Sequence, residues 1–92
     1  MDVQWDPAKA RSNLRKHGVS FSDVETVFYD PFAISFEDSG LKDENRFVAI
    51  GMDALSRVVV AVYAYQDRAI RLISARRATK SEREVYEEGI RF

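Results

Sequence analysis

The chain contains no cysteine, one histidine and four scattered glycines among its 92 residues. The absence of cysteine excludes disulfide bridges and thiolate metal sites, and it is typical of proteins from reducing compartments. With a single histidine, any metal site would depend on carboxylates, and the acidic stretch at residues 37–44 lacks the regular spacing of a calcium loop. The glycines form neither a dinucleotide-binding fingerprint nor a phosphate-binding loop. We therefore expect no metal and no cofactor.

Long apolar runs are absent as well. The longest spans eight residues, 58–65, which is too short to cross a bilayer, and no signal segment opens the chain. A hydrophobic content of 46% and a charged content of 32% are typical of a folded globular domain. We expect a single domain over residues 1–92, located in the cytoplasm and not attached to a membrane.

The net charge of −1 conceals an uneven distribution of charge along the chain. Residues 1–19 carry a balance of +2, residues 20–45 a balance of −6 and residues 46–92 a balance of +3. Such a distribution permits a cationic face on a nearly neutral protein. The alternative is that the charges only solubilise the surface.

Two helices are predicted near the N-terminus from their end signals. Asp6 and Pro7 are a typical N-cap and first-turn pair, and Gly18 is placed to end the first helix. A shorter helix follows Ser20 and stops before Pro31, because the residue preceding a proline avoids the helical conformation.

After the second helix the apolar period changes from 3.6 to 2, which predicts strands. A short strand at residues 3–5 precedes the helices, and four more are predicted at residues 32–37, 46–52, 57–66 and 70–75. Short connections between the last four require antiparallel pairing. The predicted order is βααββββα, an α+β fold with an antiparallel sheet of four to five strands and the helices gathered on one face.

The stretch at residues 67–83 combines a strand end, two adjacent arginines and a helix start. Thr79 and Glu82 form a capping box that begins the third helix, and Gly89 is placed to end it. Six cations and two anions lie between residues 67 and 83. A strand that delivers cations to a helix N-terminus is suited to bind an anion, because fixed charge and free backbone N–H groups point in the same direction.

We predict that this anion is an RNA backbone. RNA cleaves itself without metal when a protein aligns the 2′-hydroxyl with the scissile phosphate, neutralises the growing charge and assists proton transfer. Arginine donates two parallel hydrogen bonds to phosphate oxygens, and histidine transfers protons near neutral pH. Arg76, Arg77 and His17 are therefore candidate catalytic residues, while Lys9 and Lys16 form one helix edge suited to phosphate.

The arginines also have a structural explanation. Arg76 and Arg77 can simply pair with Glu82 or Glu84. Glu82 is predicted to lie on the inward side of its helix, where a carboxylate needs a cation, and Arg76 and Arg71 are the nearest in sequence.

His17 and Tyr86 likewise have two interpretations each. A histidine at a helix end can serve only to stabilise the helix dipole. Tyr86 can stack on a base, but an aromatic residue at helical spacing from apolar neighbours is more often part of the core.

Four segments follow one another in a recognisable order: WDPAKARSNLRKHGVSF, FYDP, ENRFVAIG and RLISARRATKSEREVYEEG. In that order and spacing they resemble the BrnT toxins of bacterial type II toxin–antitoxin modules. The resemblance implies a RelE-like fold, ribonuclease activity that arrests translation, and neutralisation by a BrnA antitoxin with a ribbon-helix-helix DNA-binding domain. It also implies that operator DNA is bound only through the antitoxin complex.

The family's motifs can be carried over by position. Its Lys-His-Gly corresponds to residues 16–18, and its acid–arginine pair to Glu44 and Arg46. Its Ser-Ala-Arg-Arg corresponds to residues 74–77.

The leading hypothesis is a metal-independent endoribonuclease with the catalytic residues His17, Arg76 and Arg77. The RNA-binding residues in this hypothesis are Lys9, Lys16, Arg46, Arg71 and Tyr86. The supporting residues are Glu44, Ser74 and Glu82. The rival hypothesis is a non-catalytic interaction module whose cationic groove binds an acidic segment of a partner.

Overall fold

The chain forms one mixed five-stranded sheet with helices on both faces. The computed structural model describes residues 2–38 and 45–90. The strands are β1 (Asp2–Gln4), β2 (Ile34–Asp38), β3 (Arg46–Met52), β4 (Val58–Gln66) and β5 (Ala69–Arg77). The helices are α1 (Pro7–His17), α2 (Phe21–Val24), a 3₁₀ helix (Glu25–Tyr29) and α3 (Lys80–Ile90). The α+β class and the element order βααββββα are confirmed, with the 3₁₀ helix added after α2.

The strand order is β1-β5-β4-β3-β2. Strands β2 to β5 pair antiparallel, as predicted, but β1 pairs parallel with β5, from Asp2 opposite Ala69 to Gln4 opposite Arg71. The prediction of a purely antiparallel sheet is therefore wrong at this edge. Short connections fix the direction of strands that are neighbours in sequence, whereas β1 and β5 are joined through the rest of the chain.

The helices occupy both faces of the sheet, not one face as predicted. Val59, Ala61 and Tyr63 of β4 pack in one cluster with residues of α1, α2 and the 3₁₀ helix. Val60 packs in a second cluster with Tyr86 of α3. Because neighbouring strand residues point to opposite faces, the unbroken apolar run at residues 58–65 is the sequence signal of a strand buried on both sides.

Strand β5 is longer than predicted and contains an irregularity. Val62 lies opposite Ser74 while Tyr63 lies opposite Leu72, so Ile73 is an extra residue without a partner on β4. The ladder then continues through Arg76 and Arg77. The predicted boundary at residue 75 is therefore two residues short, and both arginines belong to the strand.

The helix ends follow the predicted signals with one exception. Asp6 accepts a hydrogen bond from the backbone N–H of Ala8 at 2.8 Å, and Gly18 ends α1 with a left-handed φ of 68°. Gly89, predicted to end α3, lies inside the helix. Among the described residues, no helix is long and apolar enough to cross a membrane.

Strand β2 departs from its predicted burial. Its alternation of Ile34 and Phe36 with polar residues predicted one buried face, but the Phe36 side chain is 49% exposed. Its strand partner Val48 is buried in the α3 cluster. Helix α3 therefore covers the centre of this sheet face and leaves its β2 end open to solvent.

Candidate functional site

A buried amide side chain fixes α1 along the outer edge of β5. Strand β1 pairs with β5 only as far as Arg71, so the backbone beyond it needs other hydrogen-bond partners. Asn13 is 5% exposed, and its side-chain amide donates to the carbonyl of Ala75 at 2.9 Å and accepts from its N–H at 3.0 Å. It also donates to the carbonyl of Val19 at 3.0 Å. One side chain thus replaces a strand partner and joins α1 to β5.

A hollow of about 200 Å³ lies between α1 and this edge of β5. Its lining comprises Lys9, Ser12, Asn13, Lys16 and His17 of α1 with Ile73 and Ser74 of β5. The lysines and the histidine are exposed at its rim, and no carboxylate is among the described lining residues. The structure thus brings together four of the predicted site residues, Lys9, Lys16, His17 and Ser74.

Helix α1 concentrates positive charge beside this hollow. It carries four lysines and arginines and no acidic residue, and Arg15, Lys16 and His17 occupy its last turn. Cations in a last turn also stabilise the helix dipole. The structural explanation for His17 is therefore compatible with its place at the rim of this hollow.

Arg76 is held by Glu82. Two parallel hydrogen bonds of 2.8 Å join the guanidinium to the carboxylate. Glu82 also completes the predicted capping box, accepting from the N–H of Thr79 at 2.8 Å while its own N–H donates to the Thr79 hydroxyl at 3.3 Å. The Arg76 hydrogen bonds, with smaller help from Thr79, outweigh partial burial and lower the pKa of Glu82 to about 2. The predicted need of Glu82 for a cation is met by Arg76.

Arg76 and Arg77 point to opposite faces of the sheet. Arg76 lies opposite Val60, on the α3 face, whereas Arg77 lies opposite Val59, on the face of α1 and α2. The prediction that the two guanidinium groups lie side by side is therefore wrong. The strand continues through both residues, and side chains along a strand alternate between the two faces of the sheet. Arg77 is exposed.

Arg46 and Arg71 share one face of the sheet. Both lie opposite Ala64 of the central strand, one on each side, which places their Cα atoms ~10 Å apart at the usual strand spacing. Asp38 lies opposite Arg46 on β2. This is the face that carries Arg76. Glu44 lies outside the described residues.

Tyr86 belongs to the core, and its predicted role in stacking on a base is wrong. Its side chain is 2% exposed, and its hydroxyl donates to Asp30 Oδ2 at 2.6 Å. Burial, together with the hydrogen bond to Asp30 and its charge, raises the pKa of Tyr86 to about 12. For Asp30, burial opposes ionisation, but hydrogen bonds from Tyr86, Met52 and Phe32 prevail and lower its pKa.

Sequence reasoning missed three polar residues that hold the site's surroundings in place. Asn13 is the first, and Asp30 is the second. The third is Arg57, which pairs with the 4%-exposed Asp53 at 2.8 Å and donates to the carbonyl of Gly18 at 3.2 Å. The i,i+4 spacing of Asp53 and Arg57, across the short connection between the predicted strands 46–52 and 57–66, is a usable signal. Nothing in the sequence distinguishes Asn13 from a surface asparagine. Within residues 2–38 and 45–90, no group of three histidine or acidic side chains is placed to hold a metal ion.

The geometry defines a class of protein: a small α+β domain with a cationic hollow at a sheet edge, suited to an anionic backbone. The model of the family described as "Ribonuclease toxin, BrnT, of type II toxin-antitoxin system" matches residues 5–82. This chain therefore belongs to the BrnT family of ribonuclease toxins, as the sequence resemblance predicted.

A solved structure supports the same conclusion. The 1.1 Å crystal structure of the Brucella abortus ribonuclease toxin BrnT is similar to this chain with a TM-score of 0.66 and 26% identity, over 87% of this chain and 99% of that one. No curated protein sequence matches the chain. The agreement over nearly the whole of both chains confirms the predicted fold.

Proposed function

We propose that this chain is a metal-independent endoribonuclease whose substrate lies across the outer edge of β5. The observation that carries the proposal is the hollow lined by Lys9, Lys16 and His17, which has two lysines and no carboxylate among its described lining residues. Such a lining attracts a phosphate and repels a divalent cation. The proposal agrees with the family's description as ribonuclease toxins.

A sheet edge is the place where side chains from both faces can reach one ligand. Among the described residues, no strand lies outside β5 beyond Arg71. Arg77 approaches this edge from the face of α1, and Arg71 and Arg76 from the face of α3. An RNA strand crossing the edge would therefore meet cations on both sides. Arg46, two strands further in, would contact the backbone beyond the cut.

The proposed reaction transfers the phosphoryl group within the RNA. The 2′-oxygen loses its proton, bonds to phosphorus and displaces the 5′-oxygen of the next nucleotide, which leaves with a proton. His17 is the proposed proton-transfer group. Lys9 and Lys16 would hold the flanking phosphates, and the exposed Arg77 would stabilise charge on the phosphorane.

Arg76 and Glu82 would act as a unit in this scheme. Because both carboxylate oxygens are used, the guanidinium is fixed in one orientation. Its side chain is still 43% exposed, so its charge can act on a nearby phosphate while Glu82 holds it in place. Ser74, at the rim of the hollow, would support the bound backbone.

The test is RNA cleavage by the purified protein in the presence of a chelator. We expect cutting to persist and to leave 2′,3′-cyclic phosphate and 5′-hydroxyl ends, identified by end-labelling. His17→Ala and Arg77→Ala are each expected to lower the rate by about 10²-fold or more. These residues are exposed, so neither change removes core packing.

The matched control is the double variant Arg11→Ala with Arg15→Ala. These arginines are exposed on the same helix and do not line the hollow, so cleavage should remain within a few-fold of the unchanged protein. The double variant Lys9→Ala with Lys16→Ala removes the two lysines that line the hollow. If it and the control lose cleavage activity equally, the hollow is not the site that binds RNA. RNA left intact by the unchanged protein would favour the rival, a non-catalytic module whose cationic groove holds an acidic partner segment.

We also propose that the chain acts in the cytoplasm as part of a type II module. The family description implies an antitoxin, and we propose a BrnA-like ribbon-helix-helix protein that neutralises the toxin and carries it to operator DNA. Inducible expression of this chain alone should arrest growth through inhibition of translation, and co-expression of the antitoxin should restore growth. Operator binding by this chain without the antitoxin would contradict the scheme.

A further inference from the structure

The sheet has a second edge, far from the hollow, and it is formed by β2. In the part of the chain that the structure describes, no strand lies beyond Ile34–Asp38. The middle of this strand, Ser35 to Glu37, is exposed. An uncovered edge strand presents unpaired backbone N–H and C=O groups that can receive a further strand.

The edge strand itself carries Glu37 and Asp38 and no cation, whereas α1 is cationic; Asp38 lies opposite Arg46 of β3. Residues 20–38 contain five carboxylates and no lysine, arginine or histidine. One of them, Asp30, is engaged inside the protein by Tyr86 and by backbone N–H groups. Glu37, in the strand itself, is exposed. Glu37 therefore favours a basic residue in an added strand and disfavours a nucleic-acid backbone.

The two faces of β2 present different surfaces to an incoming strand. On the α3 face, Phe36 is 49% exposed beside the partly buried Ile34. On the other face, Ser35 borders a hollow of about 220 Å³ that is also lined by Tyr63 and Tyr65. Side chains of an added strand would alternate between these surfaces. The residue beside Phe36 would be apolar and the residue beside Glu37 basic.

We propose that the free edge of β2 binds an extended segment of a second protein in which apolar and basic residues alternate, as a sixth strand of the sheet. The partner is the antitoxin, so the inference rests on the proposed toxin–antitoxin function. It places antitoxin docking at the edge opposite the RNA hollow, and not on the cationic groove. Backbone pairing supplies affinity, and Phe36 and Glu37 supply specificity for this segment.

The test measures antitoxin binding to the full chain by calorimetry. The variant Phe36→Ser with Glu37→Lys removes the apolar side chain of Phe36 and reverses the charge of Glu37; both residues are exposed. We expect the dissociation constant to rise roughly 30-fold or more. The matched control, Val85→Ser with Glu84→Lys, makes similar changes at exposed positions of α3, where Val85 is 51% exposed. It should change the constant by less than about threefold.

Hydrogen exchange gives a second readout that does not depend on a variant. Amides of residues 34–38 should gain protection when the antitoxin binds and should gain none when RNA binds. Protection of this strand by RNA, or an unchanged dissociation constant in a folded Phe36→Ser, Glu37→Lys variant, would overturn the inference.

The RNA assay separates the two proposals. The β2 variant should still cut RNA at the unchanged rate, because its substitutions lie at the edge remote from His17. Normal cleavage with normal antitoxin binding by this variant would reject the docking site and leave the nuclease in place. Loss of antitoxin binding by a chain that never cuts RNA would reject the nuclease and leave the docking site in place.

Discussion

At the scale of single residues, Asn13 shows how much structure one polar side chain can hold. Its amide satisfies the N–H and the carbonyl of Ala75 and the carbonyl of Val19. Buried polar groups that lose their partners cost about 1–3 kcal/mol each. The position of α1, and with it the lining of the hollow, depends on this residue.

Replacing Asn13 by alanine should lower the free energy of unfolding by roughly 2–4 kcal/mol, because buried backbone groups lose their partners. Urea denaturation of the variant and of Arg15→Ala, an exposed change on the same helix, gives the comparison. Asn13→Asp should lower the free energy of unfolding more than Asn13→Ala does, because it places a negative charge next to two carbonyl oxygens. Equal stability of Asn13→Ala and Arg15→Ala would show that water replaces the amide.

The Glu82–Arg76 pair predicts a pH dependence of stability. Because Arg76 lowers the pKa of Glu82 from 4.5 in the unfolded chain to about 2, its contribution is fully present above pH 4.5 and is lost as the pH falls toward 2. After allowance for solvent screening, the contribution is about 1–2 kcal/mol.

Glu82→Gln isolates this contribution, because glutamine can still complete the capping box. Urea unfolding of both proteins should show the unchanged protein more stable at neutral pH. The difference should shrink between pH 4.5 and pH 2. A difference that stays constant down to pH 2.5 would mean that the ion pair contributes nothing.

At the scale of elements, α3 is attached to the rest of the fold by Tyr86. Its hydroxyl reaches Asp30, just after the 3₁₀ helix, and Asp30 in turn accepts from the N–H of Met52 at the end of β3. One carboxylate thereby joins the third helix, the connection before β2 and the central sheet.

Tyr86→Phe should destabilise the protein by about 1–3 kcal/mol, because it removes a hydrogen bond to a charged group while keeping the ring in the core. The pKa of Asp30 should rise, since Tyr86 supplies the first of the hydrogen bonds that lower it. Denaturation and NMR titration of the carboxyl groups measure both effects. Val85→Ala, at a residue of the same helix that is 51% exposed, is the control and should leave both unchanged.

The types and order of the helices and strands were predictable from the sequence. The sheet face on which each helix and each arginine lies was not. End signals such as Asp6, Gly18 and the Thr79–Glu82 box are local, so they survive in the structure. The apolar pattern does not show that β5 continues beyond residue 75 through Arg76 and Arg77, whose side chains then alternate between the two faces. For that reason the two arginines were wrongly expected to act side by side.

At the scale of the whole molecule, the charges are separated along the sheet. Cations cluster on α1, beside β5, whereas β2, at the far edge, carries Glu37 and Asp38 and no cation. The asymmetry was predictable from the charge balance of three segments. The assignment of Lys9, Lys16 and His17 to one hollow was not, because it depends on the contact between Asn13 and Ala75.

RNA binding should respond to salt in proportion to the number of phosphates that the hollow contacts. Each contact with a single strand adds about 0.7 to the slope of log affinity against log salt. Lys9→Ala with Lys16→Ala should therefore reduce the slope by roughly 1.4, measured by fluorescence anisotropy with the catalytically impaired His17→Ala background. The Arg11→Ala, Arg15→Ala pair should reduce it less, and equal reductions would mean that only net charge matters.

The two edges of the sheet also differ in whether they can pair with a second copy of the protein at high protein concentration. Among the described residues, one edge has a strand of only three residues and a stretch beyond it that the Asn13 amide closes, so the five-residue β2 is the longer edge strand open to another copy. When two copies pair through their β2 strands, neither copy retains a free β2 edge that could bind a third. Concentrated solutions of this protein should accordingly yield pairs and no fibrils, as sedimentation velocity and electron microscopy can show.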